Sequence, residues 1–360
     1  MAEQAKQAMA KPKKRCRVGC WVLRVAVGAG ALLVLVVVAG AVYQATGTAR
    51  DRKRYPPPGR MVAVGGHRLH ISIIGDGGPT VVLDAGVCDC SLNWCLVQPE
   101  VAKFARVCSY DRAGMGWSET GPHPRTSERI VQELHTLLEE ANVPGPYVLV
   151  GHSFGGYNVR LFAHEYPNEV AGLVLVDAAH EDQWPGLPES VKGLYDWWTN
   201  DMRSGRLRSR LGLLRLLDWV PVNPKLPPAL QPMDRAVHAR TSFLETLYSE
   251  WTAIDSESAA QVRAGRTLPQ VPMVVLTAEK HGDEPPPGVT DEDFAQWNEL
   301  LYEMQADLAR RCEGSLHVRV PESTHVIQLD QPGVVVNAIR EVVMAVREQR
   351  PLQADAIARR

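Results

Sequence analysis

The chain has 360 residues, 45% of them hydrophobic and 22% charged, a composition typical of one large globular domain with additional segments. Its formal net charge of −2 conceals an asymmetry, because residues 1–60 carry twelve positive and two negative charges and the other 300 residues carry a net −12. An acidic body repels a phosphate backbone, so the composition argues against nucleic acid as a partner.

An apolar run at residues 25–43 contains 19 uncharged residues and follows a basic segment at residues 1–24. As a helix, this run would rise about 28 Å and reach across a hydrocarbon core of about 30 Å. The positive charge before it favours a single-pass anchor in the cell membrane with a cytoplasmic N-terminus and an exported body. Two alternatives stay open: the opposite orientation, because residues 50–54 are also basic, and a cleaved signal that releases a secreted protein, because residues 39–41 read A-G-A.

The seven cysteines do not form a recognisable disulfide framework. Five of them lie in the body, so at least one of these five is unpaired, and a bond from Cys88 or Cys90 to Cys95 stays open. The chain has neither a C-x-x-C nor an H-E-x-x-H pattern. We therefore predict no metal and no cofactor.

The rest of the chain divides into a Pro-rich linker at residues 44–59, a body at residues 60–348 and a tail at residues 349–360. Short apolar runs alternate with helical patterns at 126–141, 157–166 and 333–347, which predicts an α/β fold whose mostly parallel eight-stranded sheet is covered by helices on both faces. The predicted strands are 61–64, 69–74, 81–84, 107–110, 147–150, 172–177, 273–277 and 316–320.

One region interrupts this alternation, because residues 181–268 contain no convincing strand and are rich in tryptophan, leucine and arginine. We predict a helical cap inserted after the sixth strand. Within it, residues 208–220 mix apolar and basic side chains, which indicates either a lid that faces a membrane or a helix packed on the core with a basic rim.

The sequence G-H-S-F-G at residues 151–155 lies between a predicted strand and a predicted helix. A serine in such a tight turn is held above the end of a sheet, so we predict Ser153 as a nucleophile. A serine hydroxyl needs a base. His325 follows the last strand and is the predicted base, whereas His317 lies within that strand and would point into the packed layers.

The body from about residue 60 to residue 347 resembles the α/β-hydrolase superfamily. Residues 111–118, D-R-A-G-M-G-W-S, look like its D-x-x-G-x-G-x-S stretch, and His325 with Pro332 looks like its terminal H-x-x-x-x-x-x-P segment. The resemblance implies a Ser…Asp…His triad and an oxyanion hole built from backbone N–H groups. Phe154 and Val87 are the candidates for those two donors.

The resemblance implies an acid after strand seven or, as in haloalkane-dehalogenase-like members, after strand six. After strand seven the usual glycine is replaced by Ala278, and Asp283 lies two places beyond the position expected for the acid. Asp177 ends strand six and is the predicted acid. Asp283 is the alternative, followed by Glu279 and Glu284.

We therefore predict a serine hydrolase that cleaves carboxylic esters or lipid-like acyl substrates through an acyl-enzyme on Ser153. A serine nucleophile argues against hydrolysis of epoxides or haloalkanes. Trp94, His152 and His180 are candidates for the substrate pocket. An acyltransferase or a peptidase would use the same triad, and a non-catalytic binding protein on this scaffold is the alternative outside enzymes. The oligomeric state is not predicted.

Overall fold

The strands of the body form one eight-stranded sheet in the computed structural model, which describes residues 15–279 and 284–357. The strands are β1 (Arg60–Ala63), β2 (Arg68–Ile74), β3 (Thr80–Asp84), β4 (Val107–Tyr110), β5 (Tyr147–His152), β6 (Val170–Val176), β7 (Met273–Ala278) and β8 (Leu316–Val320). Their order across the sheet is β1-β2-β4-β3-β5-β6-β7-β8.

All strands from β3 to β8 are parallel, and only the β1–β2 and β2–β4 pairs are antiparallel. Every residue of β3, β4, β5 and β7 is buried, because helices cover both faces of the sheet. The predicted fold class is confirmed. Since the carboxyl ends of parallel strands lie at one edge, the loops after β3, β5, β6 and β8 meet there.

Two layers of helices bury the apolar side chains of the sheet. Residues of α3 and α4 pack with one face, and residues of α2, α13 and α14 pack with the other. The helices are α1 (Arg15–Arg54), α2 (Gln98–Val101), α3 (Ser127–Glu140), α4 (Gly155–Glu165), α5 (Gln183–Gly186), α6 (Glu189–Arg210), α7 (Leu213–Leu216), α8 (Gln231–His238), α9 (Thr241–Ile254), α10 (Glu257–Ala264), α11 (Asp291–Ala309), α12 (Ile327–Asp330), α13 (Pro332–Glu348) and α14 (Ala354–Ile357).

The N-terminal helix α1 is long and apolar enough to cross a membrane, with a mean hydropathy of 2.7 over its most apolar window. It also continues through most of the segment that we predicted as a linker, so the non-helical linker is limited to residues 55–59. The prediction for residues 44–54 was wrong because this part of the helix packs on the body: the Gln44 side chain is buried and donates to the Ala239 carbonyl at 2.6 Å.

Helices α5 to α10 lie between β6 and β7, where the cap was predicted, and residues 179–272 contain no strand. Helix α11, between β7 and β8, packs against α5 and α6 of this cap. The cysteines whose side chains the structure describes are free thiols, so no bond joins Cys88 or Cys90 to Cys95.

Candidate active site

Ser153 lies in the turn between β5 and α4, at the carboxyl edge of the sheet, and its φ of 51° is left-handed. Such a backbone conformation is uncommon for a residue with a side chain. The glycines around it allow a close approach of the chain: a Cβ on Gly155 would overlap the Asp84 carbonyl oxygen, and one on Gly156 would overlap the Ala178 side chain. The turn therefore holds the serine above the strand end at a strained position.

His325 and Asp177 form a hydrogen-bonded pair beside this turn. The distance between His325 Nδ1 and Asp177 Oδ2 is 2.6 Å, and the Asp177 side chain is only 3% exposed. The other Asp177 carboxylate oxygen accepts the Ala278 N–H at 3.0 Å. The side chains of His325 and Asp177 line the same cavity as Ser153. The alternative acid, Asp283, lies outside the described residues.

The two residues predicted to supply backbone N–H groups for an oxyanion hole lie in two loops at the carboxyl edge of the sheet. Phe154 follows the serine directly, with its own side chain fully buried, and Val87 lines the cavity in the loop after β3. Among the residues that the structure describes, neither N–H has a protein acceptor. Backbone N–H groups without a protein acceptor are suited to bind a developing negative charge.

Arg112, within the D-x-x-G-x-G-x-S stretch, clamps the loop that carries Val87. Its guanidinium donates to the carbonyl oxygens of Ala85 at 2.6 Å and Gly86 at 2.7 Å, and to Asp84 at 2.9 Å. Two further hydrogen bonds, at 2.8 and 2.9 Å, reach Glu250 on cap helix α9. The Arg112 side chain is 2% exposed, so this buried clamp joins the strand edge to the cap.

A cavity of about 370 Å³ lies above Ser153, between the strand edge and the cap. Its far wall is made by side chains of α5, α6, α9 and α11, among which the Tyr195 ring stacks on Trp251 with 5.1 Å between the ring centroids. The apolar and aromatic side chains of this far wall are Trp184, Leu187, Tyr195, Trp198, Trp251, Ile254, Trp297 and Leu301. Pockets of this size and composition bind small apolar ligands.

His152 lines this cavity and connects two of its loops. Its Nε2 lies 2.9 Å from the His325 carbonyl oxygen, and its Nδ1 lies 3.6 Å from an Asp89 carboxylate oxygen. The ring is almost completely buried, at 1% exposure. His152 therefore holds the backbone of the His325 loop.

Two predicted pocket residues do not line the cavity, and these predictions were wrong. Trp94 is fully buried in the hydrophobic layer beneath the sheet, because its short helix packs with residues of α2 and α13. His180 instead contacts Asp307 at 3.1 Å and the Arg311 guanidinium at 2.9 Å. Burial lowers the pKa of His180, which favours its neutral form.

His180, Glu181 and Asp182 bring three possible ligand atoms within 4.8 Å of one another. The Glu181 carboxylate already contacts Arg160 at 2.8 Å and Arg311 at 2.8 Å. Two guanidinium groups at the central carboxylate repel a cation, so this cluster does not fit a metal site.

Sequence reasoning missed the contribution of α11 to the cavity. Trp297, Leu301 and Gln305 are spaced four residues apart and face it together. That spacing was visible in the sequence. It gave no indication of which pocket the face would cover, because α11 is positioned by its packing on β7 and on α5 and α6, and the last two are distant from it in the chain.

The comparisons with known proteins support the fold described above. The family described as alpha/beta hydrolase fold matches residues 79–332. Among solved structures, the chain is similar to a thermophilic esterase from Thermogutta terrifontis, with 22% identity and a TM-score of 0.56 over 80% of this chain and 98% of that one. It is also similar to a putative epoxide hydrolase from Pseudomonas aeruginosa, with 18% identity and a TM-score of 0.62 over 82% and 98% of the two chains.

Among curated proteins, a probable transporter from Hormonema carpetanum is 25% identical over 310 residues, which is 81% of this chain and 44% of that protein. A 2-hydroxy-6-oxo-2,4-heptadienoate hydrolase from Pseudomonas putida is 34% identical over 125 residues, 33% of this chain and 44% of that one. These matches cover less than half of the relatives' own length. The family match spans most of the body, and the chain belongs to the α/β-hydrolase fold family.

Proposed function

We propose that this protein is a serine hydrolase that cleaves carboxylic esters with an apolar or lipid-like acyl group. The observation that carries the proposal is the 2.6 Å contact between His325 Nδ1 and Asp177 Oδ2 at a cavity that also contains Ser153. A carboxylate at Nδ1 holds the imidazole in the tautomer whose Nε2 can accept a proton, which is what a serine nucleophile requires.

In the proposed reaction, His325 takes the proton of the Ser153 hydroxyl while the serine oxygen attacks the ester carbonyl. The N–H groups of Phe154 and Val87 bind the carbonyl oxygen as it becomes negative. His325 then gives its proton to the departing alcohol. Water, deprotonated by the same histidine, hydrolyses the acyl-enzyme and restores the free serine.

The proposed substrate class follows from the wall opposite Ser153. Eight apolar or aromatic side chains line that wall, so an extended alkyl or aryl group is favoured over a charged one. The fold alone does not select the reaction, because solved structures of this fold include an enol-lactonase as well as esterases and epoxide hydrolases. The serine at the turn favours acyl transfer.

We further propose that α1 anchors the enzyme as a single-pass membrane protein, with the body on the outer side. The charge-free run of α1 and the basic residues that precede it support this arrangement. Protease protection in intact cells tests it: the body is expected to be digested from outside, and full protection would overturn the orientation.

The proposed reaction is tested by labelling the full-length protein in detergent with a fluorophosphonate probe, followed by a panel of p-nitrophenyl esters of increasing chain length. We expect labelling of the wild type and turnover that rises from short to medium chains. Ser153→Ala should abolish both, whereas Ser323→Ala serves as a matched control because Ser323 is buried and lies outside the cavity. A folded wild type without labelling would contradict the proposal.

A further inference from the structure

The two halves of α1 differ in their surroundings. All residues from 19 to 39 are exposed, and the first partly buried position is Gly40, followed by Gln44, Gly47 and Asp51. These positions are spaced by three or four residues and therefore lie on one face of the helix. Residues 19–39 of α1 are therefore exposed, and the helix from Gly40 onward is docked on the cap.

The docked face contacts the corner where α6 meets α7. A Cβ on Gly40 would overlap the Leu211 carbonyl oxygen, and one on Gly47 would lie 2.8 Å from the Arg215 side chain. Arg215 also donates to Asp51 at 2.6 Å. The apolar run of α1 extends to residue 43, so Gly40 lies about 4.5 Å inside its end along the helix axis. These contacts place Leu211 level with the end of the apolar run, and Arg215 about 6–12 Å beyond that end.

The outer side of this corner is apolar and exposed. The exposed fractions are 60% for Leu207, 64% for Leu216, 45% for Leu217 and 56% for Trp219. Leu214, between them, points inward and is 9% exposed. Isolated exposed apolar residues are common, but four of them within residues 207–219, interrupted by the exposed Asp218–Arg235 ion pair and close to an exposed apolar helix, indicate an interaction site.

A groove of about 740 Å³ runs between α1 and the start of α9, and it begins at Ala41, near the end of the apolar run. Arg52, Arg210 and Arg240 line it. Arg210 pairs with Glu245 at 2.8 Å, and the buried Arg240 donates to the carbonyl oxygens of Gly116 and Ser118. In the described part of the chain, no carboxylate lies within 4 Å of the exposed Arg52. Positive charge therefore lies just beyond the apolar corner, at the level that phosphate headgroups would occupy.

We propose that the α6–α7 corner, residues 207–219, is inserted into the interface of the phospholipid leaflet on the side of the body. Its leucines would lie among the upper acyl chains, Trp219 would lie at the headgroup boundary that tryptophan prefers, and the arginine groove would face the phosphates. The proposal rests on α1 spanning the same membrane. A leaflet is favoured over a protein partner because the corner begins, at Leu211, at the level where the apolar run of α1 ends.

The proposal is tested with the full-length protein in nanodiscs of phosphatidylcholine and phosphatidylserine that contain alkyne-tagged phosphatidylcholine. Benzoylphenylalanine is introduced at Leu216, at Leu33 and at Ile74, and lipid adducts are counted after illumination. Leu33 is 65% exposed on the apolar run. Ile74 is the matched control: it is 39% exposed and pairs with Val107 at the start of β4, so it lies at the sheet edge opposite the cap.

We expect lipid adducts at positions 33 and 216 in similar yield, and at least a tenfold lower yield at position 74. An adduct at 33 without one at 216 would overturn the cap contact and leave the anchor intact. Crosslinks between two protein chains at position 216 would show that the corner contacts a second copy of the protein, which would overturn the proposal. The absence of lipid adducts at position 33 would also overturn the proposal, because it would show that α1 does not lie in the membrane. Crosslinking needs no turnover, so these outcomes are independent of whether Ser153 is a nucleophile.

Discussion

The two sides of the cavity are built differently. On the sheet side, Ser153 and Asp177 occupy strand ends with left-handed φ angles of 51° and 43°, and short backbone contacts fix their positions. On the cap side, aromatic rings from separate helices meet only through their side chains, as in the stack of Tyr195 on Trp251. Positions fixed by strand ends are more rigid than positions fixed by side-chain packing between helices, so the sheet edge suits holding the reacting groups and the cap suits variation of the substrate.

Buried ion pairs join these two sides. Arg112 links the loop after β3 to Glu250 of the cap, and Arg160 on α4 links to Glu181 at the start of the cap. A buried pair is costly to break from one side, because the remaining charge is left without a partner in a medium of low dielectric constant. The cap is therefore tied to the sheet at defined points, while its pocket wall can vary.

The largest effect is expected at the sheet edge. Asp177→Asn should lower kcat on a soluble p-nitrophenyl ester about 10⁴-fold, because an amide favours the wrong tautomer of His325 while the shape is preserved. Steady-state kinetics on the folded variant measure this. Asp283→Asn is the control and should retain activity; the reverse pattern would transfer the role of the acid to Asp283.

The second-largest effect is expected for Arg112, whose ion pairs join the sheet edge to the cap. Arg112→Met leaves the buried carboxylates of Asp84 and Glu250 without their cation and should lower the free energy of unfolding by about 3–5 kcal/mol. Denaturant titration in detergent measures the change. Arg68→Met removes an exposed pair with Glu119 and should have little effect. Equal losses in the two variants would contradict a specific role for the clamp.

Low pH should weaken the ion pair between Arg160 and Glu181, which is the second link between the sheet and the cap. Burial acts to raise the pKa of Glu181, but Arg160 and Arg311 outweigh it and hold the pKa at about 2, below its ordinary 4.5. Because the pKa is depressed on folding, this stabilisation is complete above about pH 5 and is lost as the pH falls towards 2, a change of about 3 kcal/mol.

Denaturant titrations between about pH 5 and pH 2 measure that loss. The Glu181→Gln variant should be less stable at neutral pH and should lose less stability on acidification than the wild type. Parallel curves for the two proteins would show that Glu181 does not carry the acid dependence.

The smallest effect is expected at the cap wall. Leu301→Trp would fill part of the cavity, so kcat/KM for long-chain esters should fall about tenfold while short-chain esters change little. Leu207→Trp, the same change at an exposed position of α6, is the control for soluble substrates. An equal fall in kcat/KM for esters of all chain lengths would contradict a role in substrate size alone and would indicate that the cap wall also positions the reacting groups.

Much of the sheet and of its edge was predictable from local patterns. Local patterns predicted every strand to within two residues at each end. The apolar runs within β3, β5 and β7 were the plainest signals, because parallel strands covered on both faces need mostly apolar side chains. The glycines around Ser153 indicated the turn, since they permit an approach that side chains would block. The pairing of His325 with Asp177 was predicted only through the family resemblance.

The cap and its surroundings were much less predictable. The sequence by itself determined that a strandless, tryptophan-rich segment follows β6, and that an apolar run precedes the body. Only the tertiary structure decided that Trp94 packs beneath the sheet, that α11 completes the pocket and that α1 docks on the cap from Gly40 onward. Strand patterns and tight turns depend on neighbours in the chain, whereas a pocket depends on which distant side chains pack together.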